Sequence, residues 1–191
     1  MVGQALKRAV DILGGVAGLV LLSPLLLGLA VAVRLASRGP ALHWSRRIGR
    51  GNRVFAMPKF RTMHTGAPDV ATHLLDDPQA WVTPLGRFLR RTSLDELPQL
   101  WSVLKGDMSL VGPRPALFNQ HDLVALRTEA GVDALRPGLT GWAQINGRDE
   151  LPIPEKARLD REYLERRSLA FDLRILAATA ISAFSGRGIT H

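Results

Sequence analysis

The chain has 191 residues, enough for one globular domain but not comfortably for two. Its formal net charge of +8 predicts anionic partners, which are nucleic acid, anionic lipid or phosphorylated small molecules. Only 6% of the residues are aromatic and no basic stretch is interleaved with Tyr or Phe, which argues against a base-stacking surface, and the lack of cysteine excludes disulfides and thiolate metal sites.

The first predicted element is an apolar helix near the amino terminus. Residues 12–33 contain no charge, and as a straight helix they would be about 33 Å long, enough to cross the core of a bilayer. Ser23-Pro24 lies in the middle, where proline removes a backbone donor and predicts a kink, and where the serine hydroxyl can bond to the freed backbone groups. Basic residues flank both ends of the segment, namely Lys7, Arg8, Arg34 and Arg38.

Three interpretations of this segment remain open on the residues alone. A cleaved signal peptide would have a shorter apolar region and a cleavage site of small residues, for which residues 30–36 offer a weak candidate. A simple membrane-spanning helix is the default for such a run. A re-entrant helix would enter the bilayer, bend at Ser23-Pro24 and return to the same side, and the basic residues at both ends favour it.

A short β-hairpin and several helices are predicted next. Residues 41–48 and 53–60 are short mixed runs, and the turn sequence between them predicts a hairpin. Residues 65–84 are polar and contain several prolines, which predicts a loop with one short helix. Residues 85–91 predict a short helix with a basic face, and a helix over residues 95–105 is expected to end at Gly106.

The rest of the chain is mostly helical in pattern. Helices are predicted over residues 116–130 and 153–167. The glycine-rich residues 136–148 between them predict a structured loop or a series of turns. Residues 169–184 predict an apolar helix that is short for spanning a bilayer, so it is either a core helix or one that lies in the membrane interface.

Two adjacent carboxylates, Asp95 and Glu96, are the candidates for chemistry. Ser93 and Glu96 have the spacing of a capping box, so both acids are expected at the amino end of a helix, where the dipole favours the ionised form. A nucleophile or a metal ligand must be ionised, but acids also occur there purely as caps. Nearby basic residues favour a phosphate site, because they match phosphate oxygens; they are Lys59, Arg61, Arg90, Arg91 and Arg114.

The metal predicted for this site is Mg²⁺, with Mn²⁺ as the alternative. Hard oxygen ligands without cysteine favour these ions over Zn²⁺.

Several other polar residues are assigned no part in this site. The five histidines lack metal-ligand spacing, and Asp160 is interpreted as structural. A solvated basic face is the interpretation given to Arg46, Arg47, Arg50 and Arg53.

Taken together, the motifs resemble those of the bacterial sugar transferase family, the small monotopic phosphoglycosyl transferases that start glycan assembly on polyprenol phosphate. The resemblance covers nearly the whole chain, and it depends on the order and spacing of the motifs. They are Lys7-Arg8-x-x-Asp11, Ser23-Pro24, residues 59–63, 90–100, 104–109, 111–115 and 136–144, and the helix with Asp160 and Tyr163.

The resemblance implies a reaction and a role for each site residue. Family members use a nucleoside diphosphate sugar, usually a UDP-sugar, together with Mg²⁺. Asp95 would attack the phosphorus that bears the sugar and expel UMP, and polyprenol phosphate would then accept the phosphosugar from the enzyme. Glu96 would hold the metal. Arg90, Arg114 and Lys59 would bind phosphate or nucleotide. On the residues alone, Arg61, Arg91 and Arg148 are further candidates for this binding.

The expected architecture is α+β and mainly helical, with amphipathic interfacial helices around a small catalytic domain. Residues 1–36 would form the re-entrant membrane helix, which the resemblance favours over the other two interpretations, and residues 37–191 the catalytic domain. Such a protein lies on the cytoplasmic face of the bacterial inner membrane, with the lipid bilayer but no nucleic acid as a partner and with a homodimer left open. The alternatives are a hydrolase of nucleotide sugars or polyprenyl diphosphates, and a non-enzymatic basic membrane-anchored binding protein.

Overall fold

The computed structural model describes residues 2–67, 77–147 and 151–185. The predicted α+β, mainly helical class is confirmed. The helices are α1 (Val2–Ala36), α2 (Pro78–Trp81), α3 (Pro84–Thr92), α4 (Leu100–Lys105), α5 (His121–Glu129), α6 (Trp142–Ile145), α7 (Ile153–Arg166) and α8 (Leu169–Ser185). The strands are β1 (Leu42–Ile48), β2 (Val54–Phe60), β3 (Ser109–Val111) and β4 (Gly138–Thr140).

The hairpin predicted over residues 41–60 is confirmed. Strands β1 and β2 pair in antiparallel fashion, and their register sets His43 opposite Lys59. A short 3-10 turn, Arg50–Asn52, connects them and contains two residues with positive φ, Gly51 at 63° and Asn52 at 57°. Glycine and asparagine adopt this left-handed conformation at the least cost, which explains the turn sequence.

The amino-terminal half of α1 packs closely against α4. A Cβ atom added at Gly15 would lie 2.8 Å from the Leu104 side chain, and one at Gly18 would lie 3.0 Å from Leu100. The glycines therefore let the two helices approach closely. Near the start of α1, the Lys7 ammonium donates hydrogen bonds to the Val111 carbonyl at 3.1 Å and the Asp172 carboxylate at 2.6 Å.

The carboxyl-terminal half of α1 contacts the same domain. Val33 is buried in a cluster with Phe60 and Leu89, and Leu26, Leu29 and Ala30 pack against this cluster. The Arg61 guanidinium donates to the Ser37 carbonyl, just beyond the helix, at 2.7 Å. Both ends of α1 are thus attached to one domain.

The remaining surface of α1 is apolar and uncovered. Leu13 is 70% exposed, Leu21 is 78% exposed and Leu27 is 70% exposed. The helix over residues 3–36 is long and apolar enough to cross a membrane. Only 6% of its most apolar stretch is buried against the rest of the protein. This helix is therefore compatible with membrane anchoring, because water solvates such a surface poorly.

Helix α1 continues without interruption through Ser23-Pro24. Pro24 has no N–H to donate to the Val20 carbonyl four residues earlier, and the Ser23 hydroxyl donates to that carbonyl instead, at 2.8 Å. The predicted local role of Ser23 is confirmed, whereas a bend that returns the helix to the same side stays a prediction. An internal partner for this carbonyl matters most in lipid, where no water can replace it.

We expect Ser23→Ala to destabilise the protein in lipid nanodiscs by about 1 kcal/mol, because the Val20 carbonyl loses its donor. Pro24→Ala supplies a new backbone N–H at the correct position, so the double variant Ser23→Ala/Pro24→Ala should regain the loss. Thermal unfolding in nanodiscs measures both effects. A single Ser23→Ala variant as stable as the wild type would contradict this role of the hydroxyl.

The glycine-rich residues 136–148 form more regular structure than the predicted loop. Strand β4 pairs in parallel with β3, and α6 follows it. A Cβ atom at Gly138 would lie 2.1 Å from the Gly112 nitrogen, and one at Gly141 would lie 2.0 Å from the Gly112 oxygen. The two backbones therefore meet where only glycine fits. Each strand has three residues, too short for an alternation pattern to predict it.

Two other helices differ from or refine the predictions. The helix predicted over residues 116–130 begins only at His121, because the chain before it pairs with the edge of β1: the Ile48 N–H donates to the Ala116 carbonyl at 2.9 Å.

In α8, Phe171 and Ile175 are buried, whereas Leu173 and Ile181 are exposed. One face of α8 thus belongs to the core and the opposite face is free to contact lipid.

Candidate active site

The two acids lie at the start of a helical segment, as predicted, but the local geometry differs. Asp95 and Glu96 are in the first turn of a 3-10 helix, Leu94–Gln99, that continues into α4. The predicted capping box is wrong, because Ser93 has a left-handed φ of 56° and its side chain caps no backbone N–H. Ser93 instead ends α3 and turns the chain sharply, so that the basic end of α3 lies next to the acids.

Glu96 is held by two cations. Its Oε1 atom accepts from the Lys59 ammonium at 2.7 Å and from the Arg114 guanidinium at 2.9 Å, and its Oε2 atom accepts from Arg114 at 3.3 Å. The Glu96 side chain is only 18% exposed and that of Lys59 only 17%. One carboxylate therefore joins the hairpin to the Gly-Pro-Arg-Pro corner, which is the turn formed by residues 112–115.

Asp95 is buried beside this cluster and is not tied to it. The residue is 7% exposed, and no hydrogen bond from the described residues reaches its carboxylate. Four charged side chains act on it electrostatically, namely Lys59, Glu96, Arg90 and Arg114. A carboxylate that is close to several cations but is not consumed by any of them is available to a substrate.

The two carboxyl groups differ in acidity. Burial raises the pKa of Asp95 above its ordinary value, and Lys59 opposes this shift without cancelling it. Burial alone would also raise the pKa of Glu96, but Arg114 and Lys59 hold it well below its ordinary value. The helix end does not determine the direction of the pKa shift at Asp95, because burial prevails there. Its anion is correspondingly more basic, which suits a nucleophile, while Glu96 remains a fixed negative charge.

The Gly-Pro-Arg-Pro corner that carries Arg114 is fixed by its backbone carbonyls. Arg127 donates to the Arg114 carbonyl at 2.8 Å, and Arg47 donates to the Pro115 carbonyl at 3.2 Å. Arg127 is itself held by two hydrogen bonds to Asp160, at 2.6 and 2.9 Å, and Asp160 is 1% exposed. The interpretation of Asp160 as structural agrees with this ion pair.

Sequence reasoning missed Arg47 and Arg127. The sequence predicts a solvated face for Arg47, yet Arg47 holds the corner. It also adds to the lowering of the pKa of Lys59, which burial mainly causes. The predicted hairpin contained the signal, because Arg47 and His43 alternate onto the face of the hairpin that also carries Lys59. Nothing local marked Arg127, whose partner Asp160 is 33 residues away.

Removal of the Asp160–Arg127 pair should reduce activity independently of stability. Arg127→Met alone leaves a buried carboxylate unpaired and should cost about 3–5 kcal/mol of folding free energy. The double variant Arg127→Met/Asp160→Leu removes both charges and should regain most of that stability. It still lacks the donor to the Arg114 carbonyl, so we expect kcat to stay about tenfold low with little change in KM. Wild-type kcat in a stable double variant would show that the pair is structural only.

The other predicted site residues lie in different surroundings. Arg90 donates to the Thr62 hydroxyl at 2.9 Å and is close to Asp95. Arg61 is not joined to the acids: it is buried, and its hydrogen bonds end on the backbone of Val33 and Ser37 and on the Ser37 hydroxyl. Arg91 is exposed and forms no ion pair with a described residue. Arg148 lies outside the described residues.

The acid pair fits a magnesium ion that takes few protein ligands. In the described ranges no three residues of the types His, Asp and Glu group together as a metal site. Mg²⁺ often binds through one or two carboxylates and substrate phosphates. Within the part of the chain that the structure describes, the oxygens of Asp95 accept no hydrogen bond, whereas both oxygens of Glu96 accept from Arg114. Metal ligation by Glu96 stays a prediction.

Nearly the whole chain is similar in sequence to known proteins. The sequence profile of the family described as bacterial sugar transferase matches residues 2–186. The UDP-glucose:undecaprenyl-phosphate glucose-1-phosphate transferase of Escherichia coli K12 is 41% identical over 192 residues, which are 96% of this chain and 41% of that protein. The undecaprenyl-phosphate galactose phosphotransferase of Salmonella typhimurium LT2 is 38% identical over 92% of this chain and 40% of its own length.

A shorter relative matches almost end to end. The uncharacterized sugar transferase EpsL of Bacillus subtilis 168 is 41% identical over 96% of this chain and 90% of its own length. The chain spans only about two fifths of the two larger relatives. A buried acid surrounded by several cations agrees with these matches. The chain belongs to the bacterial sugar transferase family.

Proposed function

We propose that this protein transfers a phosphosugar from a UDP-sugar to polyprenol phosphate, giving polyprenyl diphosphate sugar and UMP. The observation that carries the proposal is Asp95, a buried carboxylate that accepts no hydrogen bond from the described residues and lies beside a Lys59–Glu96–Arg114 cluster. Larger relatives are named for undecaprenyl phosphate, and one is named for UDP-glucose. The product would enter the first membrane step of glycan assembly.

The reaction proceeds in two displacements at phosphorus. A carboxylate oxygen of Asp95 attacks the phosphorus that bears the sugar, the bond to the oxygen of UMP breaks, and UMP leaves with the bonding electrons. An oxygen of polyprenol phosphate then attacks the same phosphorus, and the bond to Asp95 breaks, which regenerates the carboxylate. Each step exchanges one phosphorus–oxygen bond for another, so the enzyme returns to its initial charge.

The cations around Asp95 would neutralise the phosphates. Phosphoryl transfer depends mainly on placement and charge stabilisation, and Arg114 and Arg90, which both act electrostatically on Asp95, would supply both. Glu96 keeps Lys59 and Arg114 in place and offsets part of their charge. Mg²⁺ would be held by the Asp95–Glu96 pair together with phosphate oxygens of the donor, and when bound it supplies further neutralisation of the diphosphate.

The membrane location is part of the proposal. Both ends of α1 are attached to the same domain, through Lys7 at one end and Ser37 at the other, which supports a monotopic arrangement rather than a spanning helix. The exposed apolar face of α1 would lie in the bilayer, at the cytoplasmic side of the bacterial inner membrane. A water-soluble donor and a lipid acceptor can then use one site in turn.

Release of UMP tests the proposal against hydrolysis. Purified protein in detergent is incubated with Mg²⁺ and a panel of UDP-sugars, with and without polyprenol phosphate. We expect sustained UMP release only when the acceptor is present, together with formation of a lipid-linked diphosphate sugar. Equal, sustained release without acceptor would identify a nucleotide-sugar hydrolase. The panel also determines the sugar, because the named relatives differ between glucose and galactose.

A further inference from the structure

A second basic site lies at the amino-terminal end of α1. A cavity of about 70 Å³, open to solvent on one side, is formed there between α1, the hairpin turn, β3 and the end of α7. One acid, Asp11, is among its lining residues. Its basic lining residues are Lys7, Arg8, Arg50, Arg136 and Arg167.

Three charges in this cavity are committed to the fold. Lys7 is paired with Asp172 at 2.6 Å. Arg8 donates to the carbonyls of Val103 and Leu104, at the end of α4. The Asp11 carboxylate accepts from the Ser109 hydroxyl and the Leu110 N–H, both at 2.9 Å.

Three arginines retain donors for a ligand. Towards the described residues, Arg136 donates through its Nε atom alone, to the Gly106 carbonyl at 2.8 Å. Arg50 and Arg167 form no hydrogen bond or ion pair through their side chains with any described residue. The cavity therefore carries uncompensated positive charge, and guanidinium groups that converge on a cavity are suited to phosphate.

The position of the cavity along α1 indicates the source of the phosphate. Lys7 and Arg8 line the cavity, while Leu6 is 51% exposed and Leu13 is 70% exposed. At about 1.5 Å per residue, Leu13 is only about 9 Å along the helix from Lys7. The headgroup region on each side of a bilayer is roughly 5–8 Å thick. A bilayer that covers Leu13 thus places its phosphates at the level of the cavity.

We propose that this cavity binds the phosphate of an anionic membrane phospholipid and so fixes the depth and rotation of α1. The inference rests on the membrane location given under the proposed function. It concerns a site formed by Arg50, Arg136 and Arg167, separate from the Asp95 site. It assigns these three arginines to lipid recognition rather than to general surface charge.

Vesicle flotation tests this site. The double variant Arg50→Gln/Arg167→Gln removes two charges that form no hydrogen bond or ion pair with the described residues, and the control Arg53→Gln/Arg161→Gln removes two charges elsewhere. Binding is measured to vesicles of phosphatidylcholine, with and without phosphatidylglycerol. We expect phosphatidylglycerol to strengthen vesicle binding of the wild type and of the control. In the double variant this strengthening should be smaller by a factor on the order of ten.

The outcomes separate this inference from the proposed function. Binding of the double variant that equals that of the control would overturn the phospholipid site, while transferase activity in detergent remained unaffected. Saturable binding of inorganic phosphate to the wild type, without preference for phosphatidylglycerol, would overturn the lipid as the source. A wild-type protein that binds neither vesicle would contradict the membrane location itself.

Discussion

Replacement of Asp95 by Asn should abolish turnover, with a loss of about 10³-fold or more in kcat, because the nucleophile of the first displacement is removed. The amide is similar in size, so the buried position should remain filled and the fold intact. Steady-state UMP release in the presence of a UDP-sugar, Mg²⁺ and polyprenol phosphate measures the effect. Asp95→Ala should be equally inactive, and it cannot revert by deamidation.

Asp107→Asn is the matched control for this substitution. Asp107 is another acid close in sequence to Asp95, but its carboxylate forms an ion pair with Lys105 at 2.9 Å. It should keep wild-type activity. Appreciable turnover by Asp95→Ala would show that no covalent step at Asp95 is needed and would leave a basic binding protein or another nucleophile as the explanation.

The pH dependence of two further variants should shift in opposite directions. The nucleophile must be deprotonated, so activity falls as the pH drops through the pKa of Asp95, which burial raises. Lys59 lowers the pKa of Asp95 and Glu96 raises it. The acid limb of kcat/KM should therefore move to higher pH in Lys59→Met and to lower pH in Glu96→Gln. Both variants should also lose about 10²–10³-fold in kcat through lost charge stabilisation.

Profiles of kcat/KM against pH, recorded at constant ionic strength, measure these shifts. Arg91→Gln serves as the control, since Arg91 is exposed and is not among the groups that act on Asp95. Its acid limb should coincide with that of the wild type. Shifts of the same sign in Lys59→Met and Glu96→Gln would indicate that the limb reports a group other than Asp95.

Local sequence signals predicted the elements that depend on local chemistry. The hairpin was predictable because its turn contains Gly51 and Asn52, which accept positive φ, and α4 ends at Gly106 for the same reason. The acid pair and three of its cations, Lys59, Arg90 and Arg114, were also predicted, because their residue types already imply phosphate chemistry. The structure joins two of these cations to Glu96 directly.

Contacts between distant segments could not be predicted in this way. Burial of Asp95 depends on how the hairpin covers the 3-10 segment, so the direction of its pKa shift was beyond reach of local spacing. Arg61 illustrates the same limit, because its position between Lys59 and the acids suggested phosphate, yet it binds the end of α1. The parallel pairing of β3 and β4 joins residues about 29 positions apart through strands too short to leave a pattern.

Intact-protein mass spectrometry after incubation with a UDP-sugar and Mg²⁺, without polyprenol phosphate, tests the central claim most directly. The account predicts a mass increase of one phosphosugar on the wild type, located on Asp95 by peptide mapping, which disappears when polyprenol phosphate is added and is absent from Asp95→Ala. A protein that turns over with acceptor but never carries this adduct, or that carries it on another residue, would contradict the mechanism.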